Sequence, residues 1–188
     1  MIDPAVARRI RLVAFDVDGT MTDGGLYIGR ASGADGAPIE LKRFDIQDGF
    51  GFVLLKRAGL LLAMVTGRAS EASRMRAAEL HVDDYVEQGS MKKFPAFDAL
   101  LGRRGIGWED AAFVADDLID VPILRNVGLP VAVANAVPEV KDAAVYTTKA
   151  PGGRGAVREF VEAFLRARGC WNDTVKTYLA ERGDDGSR

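Results

Sequence analysis

A chain of 188 residues, 48% hydrophobic and 28% charged, has the size and composition of one ordinary globular domain with a real core. Its formal net charge of −2 gives no basic footprint for nucleic acid or an anionic membrane, and no apolar run is long enough to span a bilayer. A single cysteine, Cys170, cannot close an internal disulfide, and a single histidine, His81, speaks against a zinc cluster or a Ser–His triad.

The N-terminal MIDPAVARRIRLVAF lacks the pattern of a secretory signal, which with the lone thiol makes a cytoplasmic location the expectation. The apolar run Leu12–Val17 predicts a first strand, and it leads into FDVDGTMTDGG, where Asp16, Asp18 and Asp23 fall within eight residues. Charges of one sign so close repel one another, so either the turn is solvated or a cation sits among them. Leu26–Gly29 and Ile39–Phe44 flank the turn-rich ASGADGA and predict a β-hairpin. Gly49–Ala58 follows as a helix carrying Phe50, Val53 and Leu54.

Leu60–Val65 predicts a second sheet strand, ending at Thr66, Gly67 and Arg68. Ala69–Leu80 is a helix with Ala72, Met75, Ala78 and Leu80 as its apolar stripe, and His81 falls in the surface loop after it. Beyond a short strand, Lys92 and Lys93 stand before a helix over Phe94–Arg103 with Phe97, Leu100 and Leu101 on one face. The strand Ala111–Ala115 is followed by Asp116, Asp117 and Asp120, and Leu129–Val133 by Asn135. Gly155–Arg168 is a last strongly patterned helix; a short one follows Cys170 before the polar end RGDDGSR, expected to fray. Phe50, Phe97, Phe113, Phe160 and Phe164 are assigned to the core, and Cys170 with Trp171 to packing of the terminal segment.

Strands apolar throughout and alternating with helices predict an α/β fold, a doubly wound parallel sheet with a projecting hairpin. One domain is expected over residues 1–188, with a core at about 8–169 and a tail at 170–188. Ligands of such sheets bind beyond the carboxyl ends of the strands, where this chain places two sets of carboxylates, a hydroxyl and a lysine. Hard oxygen ligands at an open site suit Mg²⁺. A carboxylate there can attack phosphorus, a second can carry the proton, and Thr66 and Lys93 can hold the phosphoryl oxygens. Taken singly, each of these features is an ordinary turn or a solvated charge; their joint order is what points to chemistry.

DVDGT followed by TD, VTGR, the lysine before a helix, and ADDLID resemble the four motifs of the haloacid dehalogenase superfamily of phosphohydrolases. DVDGTMTDGGLYIG, LKRFDIQDGFG, AMVTGRAS, DDLIDVPIL, VGLPVAVANAVPEVKDAA and PGGRGAVREF further resemble its 3-deoxy-D-manno-octulosonate 8-phosphate phosphatase branch, from about Leu12 to Gly169. The resemblance implies Asp16 as nucleophile and Mg²⁺ ligand, and Asp18 as general acid/base with its backbone carbonyl on the metal. It makes Asp116 the third protein ligand, with Asp117 supporting it or bound to the metal through water. Thr66, Gly67, Arg68 and Lys93 are implied at the phosphate; QGSMKKFPAF offers two lysines, and the family's position favours Lys93 over Lys92. Asp23 and Asp48 are implied as supporting or substrate-side groups, and Asp120 as a structural residue bonding a helix start.

The intervals Gly24–Phe44 and Thr66–Lys93 are too short for a cap domain. Members of this branch assemble as tetramers whose neighbours cover each site, so a homotetramer is implied, with Arg154 of GGRG either clamping a neighbour or recognising an anionic substrate. The substrate implied is a sugar-acid phosphate, 3-deoxy-D-manno-octulosonate 8-phosphate, a compound of lipopolysaccharide biosynthesis. Ala115 stands where glycine is common before the acidic pair. Gln47 stands where many relatives carry Arg, and DGTMTDGG is similar to enzymes of nine-carbon sugar-acid 9-phosphates; that substrate is the alternative. A receiver domain orders its acids differently along the sheet, and a silent scaffold of the same fold has no reason to keep all five groups.

Overall fold

The computed structural model describes residues 1–32, 36–89 and 92–184. The chain opens with α1 (Pro4–Arg9), which no pattern in the sequence announced, and enters β1 (Leu12–Asp16). The hairpin β2 (Tyr27–Arg30) and β3 (Pro38–Leu41) precedes α2 (Ile46–Arg57). Then come β4 (Leu61–Thr66), α3 (Glu71–Glu79), β5 (Asp84–Glu87) and α4 (Lys93–Arg104). The remainder runs β6 (Ala111–Ala115), α5 (Val121–Leu124), β7 (Leu129–Ala132), α6 (Pro138–Ala143), β8 (Tyr146–Thr147), α7 (Ala156–Arg168) and α8 (Trp171–Ala180).

Six strands form one parallel sheet in the order β5-β4-β1-β6-β7-β8, and the hairpin is a separate antiparallel pair. This is the doubly wound architecture expected, and no cap domain is present among the described residues. Because β1 pairs Ala14 with Phe113 and Phe15 with Val114, Phe15 and Phe113 point to opposite faces of the sheet. Phe15 meets Phe52 of α2 at 4.7 Å and Phe160 of α7 at 6.2 Å between ring centroids. Phe113 meets Phe97 of α4 at 5.2 Å. So α2 and α7 cover one face and α4 the other, which is why β1 and β6 are buried at every position. Each such ring taken fully from water contributes roughly 1.5–3 kcal/mol.

Two helices are rotated from their expected faces. In α3, Met75 is 66% exposed, whereas Ser73, Arg76 and Ala77 are buried. The cause is polar: α3 lies against β3, and the Arg76 guanidinium donates to the Asp45 carbonyl at 3.1 Å and sits 5.7 Å over Phe44. In α2, Phe52, Leu54 and Leu55 are buried and Val53 is largely exposed. Phe50 is therefore at the core's edge, not inside it, stacked edge-on at 4.9 Å against Tyr178 of α8. His81 is exposed in its loop, with φ 51°. Trp171 packs under Arg166 at 4.8 Å, and Cys170 is half-buried and free. Part of the expected hairpin turn (33–35) and the end of the expected frayed tail (185–188) lie outside the described residues.

Candidate active site

Sheet register builds the site. Asp16 is level with Val65 on one neighbour, and Phe15 is level with Val114 on the other. Thr66 and Asp116 are thus each one residue beyond the level of Asp16, on strands about 4.8 Å apart at the carboxyl edge. A cleft of about 540 Å³ opens there, lined by Asp16, Asp18, Thr66, Gly67, Arg68 and Lys93. Asp117 and Leu26 border it as well.

Lys93 begins α4 and is only 3% exposed. Its Nζ donates to Asp16 Oδ1 and, at 2.9 Å, to Asp120 Oδ2, whereas Lys92 is exposed ahead of the helix. Burial alone pulls the amine down, but the charges of Asp16 and Asp120 outweigh it, so its pKa is raised and it stays an ammonium. The geometry therefore singles out Lys93 of the two lysines.

Asp120 does not hold a helix start. Among the described residues its side chain caps no amide; Oδ2 accepts from Lys93 and Oδ1 is buried without a partner there. The capping falls to Asp117, whose Oδ1 accepts from the Leu118 amide at 2.7 Å. Burial, then the charge of Asp16, pushes Asp120 up to about 7 against the opposing pull of Lys93. Asp116 is pushed up to about 8, by burial first and then by the charge and hydrogen bond of Asp16. The Thr20 hydroxyl donates to Asp116 Oδ1 at 3.2 Å.

Burial and the neighbouring Asp16 charge make the Asp116 anion costly, and a cation held between the two would offset that cost. Gly19, at φ +93°, leaves room for the Asp116 carboxylate that a Cβ would strike. Among the described residues no three His, Cys, Asp or Glu side chains converge as a protein cage. Two carboxylates and a backbone carbonyl are instead the sparse oxygen set that Mg²⁺ takes when it keeps waters and a phosphate. The residues present fit that ion.

The 19–24 loop is fastened by Asn135, by the 152–153 turn and by groups that the sequence left unmarked. Asn135 Nδ2 donates to the Gly19 carbonyl at 2.8 Å, and its Oδ1 accepts from the Gly152 amide at 2.6 Å. The Gly153 amide reaches the Thr20 carbonyl at 3.2 Å, and Arg43 donates to the Gly153 carbonyl. Thr22 Oγ1 accepts from the Gly19 and Gly24 amides. Lys42, beyond β3, is the largest omission: its side chain is 1% exposed and its Nζ lies 2.6 Å from Asp18 Oδ1. It stood in LKRFDIQDGFG as one charge among several, with nothing in its spacing to set it apart.

Other expected residues take different places. Asp48 is buried, 2% exposed, and accepts from the Gly155 amide at 3.1 Å and the Arg158 amide at 2.8 Å. It anchors the start of α7 and does not line the cleft, a correction to its substrate-side placement. Burial raises its pKa against those hydrogen bonds. Arg68 lines the cleft while pairing with Glu40 at 2.7 Å. Thr66 Oγ1 accepts from the Arg68 amide at 3.2 Å, closing the turn that brings Gly67 to the cleft. Arg154 is exposed, 3.6 Å from Asp23, and does not line the cleft of its own chain. Gln47 is exposed on the first turn of α2, away from the cleft. Ala115 is accommodated, fully buried at the end of β6.

Comparison with known proteins finds relatives along nearly the whole chain. The haloacid dehalogenase-like hydrolase family matches residues 86–160. The 3-deoxy-D-manno-octulosonate 8-phosphate phosphatase KdsC of Escherichia coli K12 is 41% identical over 165 residues, 88% of this chain and 84% of that one. The enzyme of that name from Moraxella catarrhalis, solved with magnesium, phosphate and KDO, superposes with TM-score 0.83 at 34% identity, covering 93% and 97% of the two chains. The cobalt-bound deoxy-D-mannose-octulosonate 8-phosphate phosphatase of Haemophilus influenzae gives TM-score 0.81 at 33% identity, covering 93% and 99%.

Proposed function

The chain belongs to the 3-deoxy-D-manno-octulosonate 8-phosphate phosphatase family of haloacid dehalogenase-like hydrolases, and from that premise we propose that it hydrolyses this sugar-acid phosphate to KDO and inorganic phosphate with Mg²⁺. One observation carries the reading: the buried Asp16 carboxylate, flanked by Lys93 and Asp116, stands at the floor of an open cleft with Asp18 two residues on.

In the reaction proposed, Asp16 attacks phosphorus and the bond to the sugar oxygen breaks as that oxygen takes a proton from Asp18. Asp18 then takes a proton from water, whose oxygen displaces Asp16 and releases phosphate. Lys93, Thr66 and the Gly67–Arg68 turn hold the phosphoryl oxygens. Asp16, Asp116 and the Asp18 carbonyl would hold the metal, with Asp117 beside them; bound there, it neutralises phosphoryl charge and orients the phosphorus.

The same reading takes the chain as one cytoplasmic domain that assembles as a homotetramer. The hairpin supports assembly: Tyr27, Ile28 and Leu41 are 63%, 74% and 60% exposed, an apolar surface that no described residue covers. Arg154, exposed and unused by its own cleft, is the residue proposed to close a neighbour's site. No helix among the described residues is long and apolar enough to cross a membrane.

The test is a panel of eight- and nine-carbon sugar-acid phosphates ranked by kcat/KM with Mg²⁺. The eight-carbon 8-phosphate should lead, and metal removal should abolish turnover. A leading nine-carbon 9-phosphate would overturn the substrate, and no phosphomonoesterase activity at all would leave a silent scaffold.

A further inference from the structure

Asp18 has a demanding task and little to hold it. Its side chain is 35% exposed at the cleft, so nothing in its own packing fixes one rotamer. Among the described residues its carboxylate has one ion pair and no other hydrogen bond: Lys42 Nζ at 2.6 Å from Oδ1.

Lys42 is anchored in turn. Its ammonium donates to Ser73 Oγ at 3.0 Å and lies 3.7 Å from Glu40, with the side chain 1% exposed. Glu40 is itself fixed by Ser70 at 2.6 Å and Arg68 at 2.7 Å. A buried ammonium is held in place because leaving it unpaired is costly. The chain of contacts runs from β3 through Lys42 to one oxygen of Asp18, and Lys42 touches neither Asp16 nor Asp116.

We propose that Lys42 is a positioning residue for catalysis: it clamps Oδ1 of Asp18, leaving Oδ2 as the oxygen that hands the proton to the leaving group and later receives it from water. The inference rests on the phosphatase reading and adds to it the root of the hairpin as the support of the acid/base. Bonds balance as before: the P–O(sugar) bond breaks, the sugar oxygen gains the proton leaving Oδ2, and Lys42 gains and loses nothing.

The test uses Lys42→Met in the full chain with Mg²⁺, comparing 3-deoxy-D-manno-octulosonate 8-phosphate with p-nitrophenyl phosphate. An alkoxide needs Asp18's proton to leave; p-nitrophenolate does not. Because kcat/KM reports events up to the first bond cleavage, the variant should lose ~10²-fold on the sugar phosphate and under ~3-fold on the aryl ester. In an Asp18→Asn background the same change should cost under ~2-fold on either, since it acts through the missing group. Should Lys42→Met fail to fold, Ser73→Ala, which removes one anchor of the ammonium, should give the same leaving-group bias at smaller size. Equal losses on both esters, or an undiminished loss in the Asp18→Asn background, would overturn the assignment. Wild-type turnover of the two esters tests the phosphatase reading separately, so its failure is told apart from that of Lys42.

Discussion

Asp16 and Asp18 stand two positions apart in sequence and differ by a full role in the chemistry, and the difference comes from their neighbours. Asp16 is 4% exposed between Lys93 and Asp116; Asp18 faces the cleft with one cation at its back. Asp16→Asn should therefore abolish turnover of every ester. Asp18→Asn should lower kcat/KM on the sugar phosphate by ~10²–10⁴-fold and on an aryl phosphate much less; steady-state assays check both. The crowding of Asp116 against Asp16 gives a second test. Its pKa in the folded protein is raised to about 8 from an ordinary value near 3.8, so the metal-free fold holds a proton that the unfolded chain has released. Stability from this group is fully present below the ordinary value and is lost as pH rises through about 8. Thermal unfolding without metal should give a lower Tm at the alkaline end of that window, and Mg²⁺ should raise Tm most there. A flat metal-free profile would count against the crowded pair. At this scale the placement of Asp16, Thr66, Lys93 and Asp116 was legible because each ends, begins or directly follows an element. Lys42 was not, since its partner Asp18 lies 24 positions away, and Asn135 was visible only as a polar residue after a strand, its partner Gly19 lying 116 positions away.

Elements carry the site by supporting one loop from several sides. The 152–153 turn is pressed against the 19–23 segment so closely that a Cβ on Gly152 would collide with the Gly19 carbonyl. Gly152→Ala should cost about 1–3 kcal/mol by overpacking and should lower activity by moving Gly19 against Asp116. Asp48→Ala should free the Gly155 and Arg158 amides at the start of α7 and destabilise the fold by about 1–3 kcal/mol. Denaturant melts measure both, and Asp48→Ala should leave KM near wild type because Asp48 is outside the cleft. β1, β4, β6 and β7 were readable as unbroken apolar runs, and α7 by Val157, Phe160, Val161, Phe164 and Leu165 at helical spacing; β5 was expected only as a short strand, and the two-residue β8 was not announced. The faces of α2 and α3 were not. There a buried arginine and the hairpin set the helix orientation, and amphipathic spacing assumes that only apolar residues are buried.

The whole molecule has an open cleft and an uncovered apolar hairpin, and the two are joined through β3 and Lys42. A tetramer built on the hairpin would shield both. Ile28→Glu, at a position 74% exposed, should therefore yield smaller species by light scattering and also raise KM, while the monomer melts as before. An unchanged oligomer would move the interface elsewhere. The parallel sheet and the missing cap were legible from alternation and interval length. A tetramer was implied by the family resemblance alone, because exposed apolar residues in a short hairpin carry no periodicity that distinguishes an interface from a surface. The central claim is that Asp16 itself attacks phosphorus, and the stereochemical course at that atom tests it without trapping an intermediate. With a substrate whose phosphoryl group is made chiral by sulfur and oxygen isotopes, two successive in-line displacements predict retention of configuration. Inversion would mean direct attack by water and would contradict the account.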